Sequence, residues 1–307
     1  MPRQKHRFCL LFTTLGLVIL GITGYRLVWR ADNARLEKNH KDMHPNASQE
    51  NLPLKFFLLV FILSIPIWLI GGNRLPLPIN LPASSLQVYN PLIAASILSY
   101  RRYGLDGVKE LLKKASDPQK TKNKIWYIPS LFLMPLIYFL SYAIMRLTGL
   151  PLPDPKIPWL MAPVFFLVFF ITAVGEEVGW TGYATDPMQN RWGALKASII
   201  LGIVWAIWHI VPDVQNRQTA NWIVWHRLSS VAIRILIVWI YNNTGKSVLA
   251  AILVHTMDNV SWSLFPNYGS HYNPFVTGVI TIVAAVIVTL GWGPKTLARY
   301  RYVRGSR

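Results

Sequence analysis

Cysteine is almost missing from this chain of 307 residues; the one thiol is Cys9. That excludes an internal disulfide, a Cys-based zinc site and a Cys-pair redox motif. Charge is also scarce, at 14% of residues, where a soluble domain carries about a quarter. Acids are the scarcer sign, 13 against 31 Lys and Arg, which leaves a net charge of +18. Sequence repeats and low-complexity tracts are lacking, and no Ser or Cys is placed as an obvious nucleophile.

Apolar runs are abundant instead. Hydrophobic residues make up 52% of the chain, and 13 tryptophans suit membrane interfaces. Successive runs of about 20 apolar residues have the length of membrane-crossing helices. The expected architecture is all-α: a polytopic transmembrane helix bundle of about 8–9 spans. A soluble nucleic-acid binder would carry its basic residues on one soluble face. Here most lie in loops and tails between apolar runs, as positive-inside topology and contact with anionic lipid heads require. Nucleic acid is therefore not an expected partner; the bilayer is.

Residues 1–125 read as N-terminal spans with a polar loop and a basic amphipathic segment, and 126–307 as a core bundle. Arg3, Lys5 and Arg7 precede the run Phe8–Trp29, as in a signal peptide, but no small-x-small cleavage site follows, so a retained first helix is expected. Asn46–Ala47–Ser48 in the next loop fits a glycosylation sequon. Leu54–Gly72 is a second span and Leu86–Tyr100 a shorter apolar run. Eight basic residues then crowd Arg101–Lys124, where Leu105, Val108, Leu111 and Leu112 recur at helical spacing; a surface-lying amphipathic helix is expected. Six further spans separate this loop from the basic C-terminal tail, so both fall on the cytoplasmic side.

Ionisable residues in the last spans are few. Each needs a reason, since a charge at mid-bilayer costs a few kcal/mol. Glu176 and Glu177 stand side by side after the apolar run Pro163–Val174. Glu176 lies 14 residues before Asn190, and His209 lies 17 after Trp192. At 1.5 Å per residue these are about 21 and 26 Å from the connecting turn, so an antiparallel pair brings them to similar depth. Pro187 is a candidate to break the first helix early. Glu176, Trp180 and Tyr183 are expected on one face, with Glu177 and Thr181 on the next. His255, Asp258 and Asn259 share a face of a later helix. Such a face alone could be helix–helix glue; three polar faces able to converge make a site. A carboxylate held with an imidazole can take a proton from water, and a second donor pair can stabilise an oxyanion. His226, near an interface, reads as structural.

These residues resemble the CAAX protease and bacteriocin-processing family (CPBP, also Abi) of intramembrane peptidases. That family carries Glu-Glu-x-x-x-Arg, an aromatic-x-x-x-His, and His-x-x-x-Asn or Asp on three helices. The matches are Glu176–Glu177, Trp205 with His209, and His255 with Asn259. The resemblance implies an intramembrane endopeptidase acting on membrane-associated, in some members prenylated C-terminal, peptides. It implies that Glu176 and His209 activate water, that His255 and Asn259 hold the oxyanion, and that Glu177 supports the cluster. Two His and two Glu also form a donor set for zinc; the expectation is that no metal is obligatory. Localisation is expected to be multi-pass, in the cell membrane. One position departs from the pattern: Thr181 stands where the motif has arginine. Arg227 and Arg234, seven apart on one helix face, are the candidates to replace it, and Arg234 is the one expected to do so. The Thr181 change also keeps open a catalytically inactive member acting in immunity or as a membrane partner. A transporter using the buried acids as a relay is a further alternative, weakened by the lack of an inverted repeat.

Overall fold

The computed structural model describes residues 53–71 and 83–298. The run Phe8–Trp29, Cys9, the Asn46 sequon and the tail from Arg299 onward lie outside the described residues. Among the described residues no strand forms, and all of them belong to one compact unit.

Helix α1 spans Leu54–Ile70, and a 3-10 segment, Ala83–Tyr89, leads into α2, Asn90–Lys113. Then follow α3 (Tyr127–Leu147), α4 (Ala162–Gly179), a π-helical stretch (Trp180–Thr185) and α5 (Asp186–Trp192). The chain closes with α6 (Ala194–Gln215), α7 (Ala220–Asn243), α8 (Val248–Leu264) and α9 (Pro274–Trp292). Five of the described helical segments are long and apolar enough to cross a membrane, and α1 and α8 are shorter apolar helices. This is a multi-pass membrane protein.

The second half of α7 explains where the core sits. Every residue from Ala232 to Asn243 is buried, so this helix is covered all round. It packs against α6 and α9, while α8 packs against α3 and α4. Both central helices start at side-chain caps: Thr219 accepts from the Trp222 amide and Ser247 from the Ala250 amide.

The apolar run Leu86–Tyr100 and the basic amphipathic stretch after it are not separate elements. The run from Asn90 and the basic stretch as far as Lys113 are one helix, α2, which bends at Gly104, where φ is +63°. Only glycine adopts that conformation without strain, so the chain turns there without ending the helix. At the basic end Lys114 Nζ donates to the Gly182 carbonyl at 2.7 Å, and Lys246 pairs with Asp186 at 3.0 Å. The Lys295 carbonyl accepts from the Ala194 amide at 2.8 Å. The central basic loop and the start of the C-terminal tail therefore share one end of the bundle, as the charge count requires.

Helix α4 lies unusually close to the start of α2. A Cβ built on Gly175 would meet the Val88 carbonyl oxygen at 2.8 Å, and one on Gly179 would meet the Pro91 carbonyl oxygen at 2.5 Å. Gly175 and Gly179 are four apart and flank the acid pair, a small-xxx-small face of the kind that lets membrane helices touch backbone to backbone. Gly179→Ala is expected to destabilise the bundle by about 1–3 kcal/mol through overpacking, read as a lower melting temperature in detergent. Gly291→Ala, whose Cβ meets nothing within 4 Å, is the control. Equal melting of the two variants would remove this contact from the account.

Candidate active site

The acid pair closes α4, and the two carboxylates point to different partners. Glu177 is fully buried. Its Oε2 accepts from Arg234 Nη1 at 2.8 Å, and its Oε1 accepts from Arg234 Nη2 at 3.1 Å. His255 Nδ1 reaches Oε1 at 2.9 Å, and the Thr181 hydroxyl also donates to Oε2. Four donors fill the acceptor positions of one carboxylate. Glu176, 4% exposed, accepts only from Trp205 Nε1, at 2.7 Å on Oε2. Its Oε1 carries no hydrogen bond among the described residues.

Trp205 is the hub of the cluster. Beyond its bond to Glu176, the Arg234 guanidinium sits 4.4 Å from its ring centroid. The rings of His209 and His255 meet it edge-on at 5.2 and 5.4 Å. Its backbone carbonyl takes the His209 Nδ1 proton at 2.9 Å. A carbonyl only accepts, so this bond fixes the proton on Nδ1 and leaves Nε2 to face the site chemistry. The link from Glu176 to α6 thus runs through Trp205, one turn before His209, where the depth argument paired Glu176 with the imidazole itself.

Arg234, not Arg227, compensates Glu177. It is completely buried, and its Nη1 also lies 3.3 Å from the Thr181 hydroxyl. Thr181 therefore occupies the motif position as a small linker between acid and guanidinium. Arg227 pairs elsewhere, its Nε 2.8 Å from Asp213 Oδ2. Asp258 accepts from the Tyr138 hydroxyl at 3.1 Å. His226 Nδ1 meets the Tyr272 hydroxyl at 2.7 Å, a structural contact. Burial, and then the Asp258 charge, push the Tyr272 hydroxyl above its ordinary range, so it stays protonated. Asn259 is half-buried, one turn after His255, with no hydrogen bond to its amide among the described residues.

The stretch after the pair departs from the expected face. Trp180–Thr185 winds as a π-helix, and the Thr185 hydroxyl donates to the Trp180 carbonyl five residues back. Pro187 follows immediately at the start of α5. A wider turn re-satisfies the backbone where proline removes a donor, so the helical path continues instead of breaking. Tyr183 is carried away from Glu176 and packs on Phe56 of α1 at 5.3 Å. Trp180 stays buried between Phe56 and Trp208, at 5.3 and 5.6 Å. Behind His209, Trp208 Nε1 donates to Ser64 Oγ at 2.7 Å, and Asn90 donates to the same oxygen at 2.9 Å. These α1 contacts and Gly175/Gly179 were not singled out from sequence; the four-residue glycine spacing was the available signal.

Lys114 clamps this stretch from outside through Gly182. Burial holds its ammonium below the ordinary lysine range. A groove of about 710 Å³ opens beside it, lined by Tyr103, Glu110, Asp117 and Tyr183 among others, and neither acid of the pair lines it.

Zinc needs three or four donors near 2.0–2.3 Å. Glu177 spends both oxygens on Arg234, Thr181 and His255, and each histidine spends Nδ1 on a protein acceptor. Among the described residues no three of His, Cys, Asp or Glu are grouped to hold a metal. With both oxygens spent, Glu177 is withdrawn from any metal's ligand set.

Residues 158–261 match the family described as type II CAAX prenyl endopeptidase Rce1-like. The chain is also similar to CAAX prenyl protease 2 of Methanococcus maripaludis, with 28% identity over 172 residues, covering 51% of this chain and 61% of that protein. Less than two thirds of that relative's length is thus spanned. Glu176, Glu177, Trp205, His209, Arg234, His255 and Asn259 all fall inside the segment that is similar to the Rce1-like family.

Proposed function

We propose that the protein is an intramembrane endopeptidase that hydrolyses a peptide bond of a membrane-associated substrate, of the prenylated C-terminal class named for its relatives, in the cell membrane. One observation carries the reading: of two adjacent buried acids, Glu177 is saturated and Glu176 has an oxygen to spare. A water on Glu176 Oε1 gives up a proton to it while its oxygen adds to the scissile carbonyl carbon. His209 Nε2 accepts from the same water and orients it. The carbonyl oxygen becomes an oxyanion, stabilised by His255 Nε2–H and the Asn259 amide. The C–N bond then breaks, and the proton on Glu176 passes to the leaving nitrogen. For His255 to donate from Nε2 while Nδ1–H is bound to Glu177, its ring must hold both protons. Two carboxylates against the single charge of Arg234 supply the balancing negative charge. The scheme uses no metal.

Thr181 favours the second reading, an inactive member, only if the motif arginine is lost without replacement. Arg234 fills its place on Glu177, which favours the enzyme. The test is cleavage of a prenylated C-terminal peptide by the purified chain in proteoliposomes, followed by mass spectrometry. New termini in the peptide with wild type, and none with His209→Ala, are expected. No cleavage by a folded wild type, on this peptide and across membrane-associated proteins compared by terminal proteomics, would overturn the reading.

A further inference from the structure

We infer that Arg227 is the receptor for a free C-terminal carboxylate of the peptide substrate, which rests on the endopeptidase reading and adds how substrate is selected. Arg227 and Asp213 form a side-on ion pair: Nε lies 2.8 Å from Oδ2, and Nη2 donates to Oδ1 at 3.2 Å. Both side chains are 11% exposed. Asp213 thus occupies one edge of the guanidinium fork by charge, with Nη2 making the hydrogen bond. Nη1 carries no hydrogen bond among the described residues, and a planar fork held on one edge presents the other to a second carboxylate bidentately. Asp213 holds the fork still.

The position suits a peptide end. Asp213 follows His209 by four residues on α6, so it shares that face one turn further on, about 6 Å along the axis. Asn259 follows His255 by four on α8, and its helix end runs to the same end of the bundle as the C-terminal end of α6. The polar face therefore continues from the water site toward Arg227 and away from the basic end. Extended peptide covers about 3.3–3.6 Å per residue. A carboxylate at Arg227 thus lies about two residues beyond a carbonyl held between Glu176 and His209. A chain terminus supplies a charged, two-oxygen acceptor for that edge, where an internal peptide segment offers only neutral carbonyls.

The test uses two peptides differing only at the end, one a free acid and one an amide, with the full chain in proteoliposomes. Wild type is expected to favour the acid by about 10- to 100-fold in kcat/KM, mainly through KM, the scale of a charge-assisted hydrogen-bond pair. The double variant Arg227→Gln/Asp213→Asn keeps a neutral hydrogen-bonded pair, and its acid-to-amide ratio is expected to fall to about one. Binding of both peptides to Glu176→Gln protein, with and without the Arg227 and Asp213 changes, reads the same preference without turnover. Cleavage of acid and amide at equal rates by wild type overturns this assignment and leaves the endopeptidase reading standing. A preference that survives the double variant also overturns it. If wild type cleaves neither peptide, the binding measurement decides, and equal binding of acid and amide overturns the Arg227 assignment.

Discussion

Glu176→Gln is expected to lower kcat by about 10²–10⁴-fold, the usual contribution of a positioned general base, while the protein stays folded. The variant is close to isosteric. Its side-chain carbonyl still accepts from Trp205 Nε1, the one side-chain hydrogen bond of Glu176 among the described residues, and the ion pair below it is untouched. What changes is the oxygen that Glu176 leaves unbonded, which in the variant becomes an amide donor unable to take a proton. KM is expected to move little, because no ground-state contact to the peptide is removed. Single-turnover cleavage with the melting temperature measured alongside separates the outcomes. Retained cleavage in a folded variant moves the base elsewhere. Glu177→Gln is a different experiment: it removes the charge that faces Arg234 and His255 and turns one of two accepting oxygens into a donor, so loss of folding is expected to accompany loss of activity.

That division of labour was only half readable from the chain. The acids, His209 and the His255–Asn259 face were legible because helical spacing is local: four residues is one turn wherever the helix sits. The bundle itself was legible because membrane length is a property of each segment alone. Which acid would be saturated was not local. It depends on a guanidinium 57 residues away on α7, and Arg227 and Arg234 share a helix face in the sequence. The choice between them is made by depth, since Arg234 lies in the fully covered half of α7 and Arg227 in its half-exposed beginning. The wide turn after Glu177 was missed for a similar reason. Pro187 announces a problem for the helix, and the backbone answers it upstream, at Trp180–Thr185. The bend of α2 was missed because composition changes at Arg101 while the backbone bends three residues later, at Gly104.

The second large effect follows from moving the compensating charge to α7. Arg234→Met is expected to destabilise the protein by about 3–5 kcal/mol, since it leaves the wholly buried Glu177 without its cation. Arg227→Met should cost less, because Asp213 lies nearer the end of its helix and its side chain keeps 11% exposure where Glu177 has none. If the Arg234 and Arg227 variants lose equal, small amounts of stability, Arg234 is not the replacement for the motif arginine. The pairing with Thr181 gives a sharper test. Thr181 donates to the same oxygen of Glu177 as Arg234 Nη1, so an arginine at 181 has the same acceptor within reach. Thr181→Arg alone adds a second buried cation beside the first and is expected to destabilise by repulsion and overpacking. Thr181→Arg/Arg234→Met restores one cation for one acid, in the family's own position. The double variant is expected to be more stable than either single one, a coupling well above the 0.3–0.5 kcal/mol within which independent sites add. Denaturation in detergent measures the stabilities, and peptide cleavage reads whether Glu176 has kept its place. Recovery of both identifies the ion pair as one charge requirement met from two helices; additive losses would mean that Thr181 and Arg234 serve Glu177 separately.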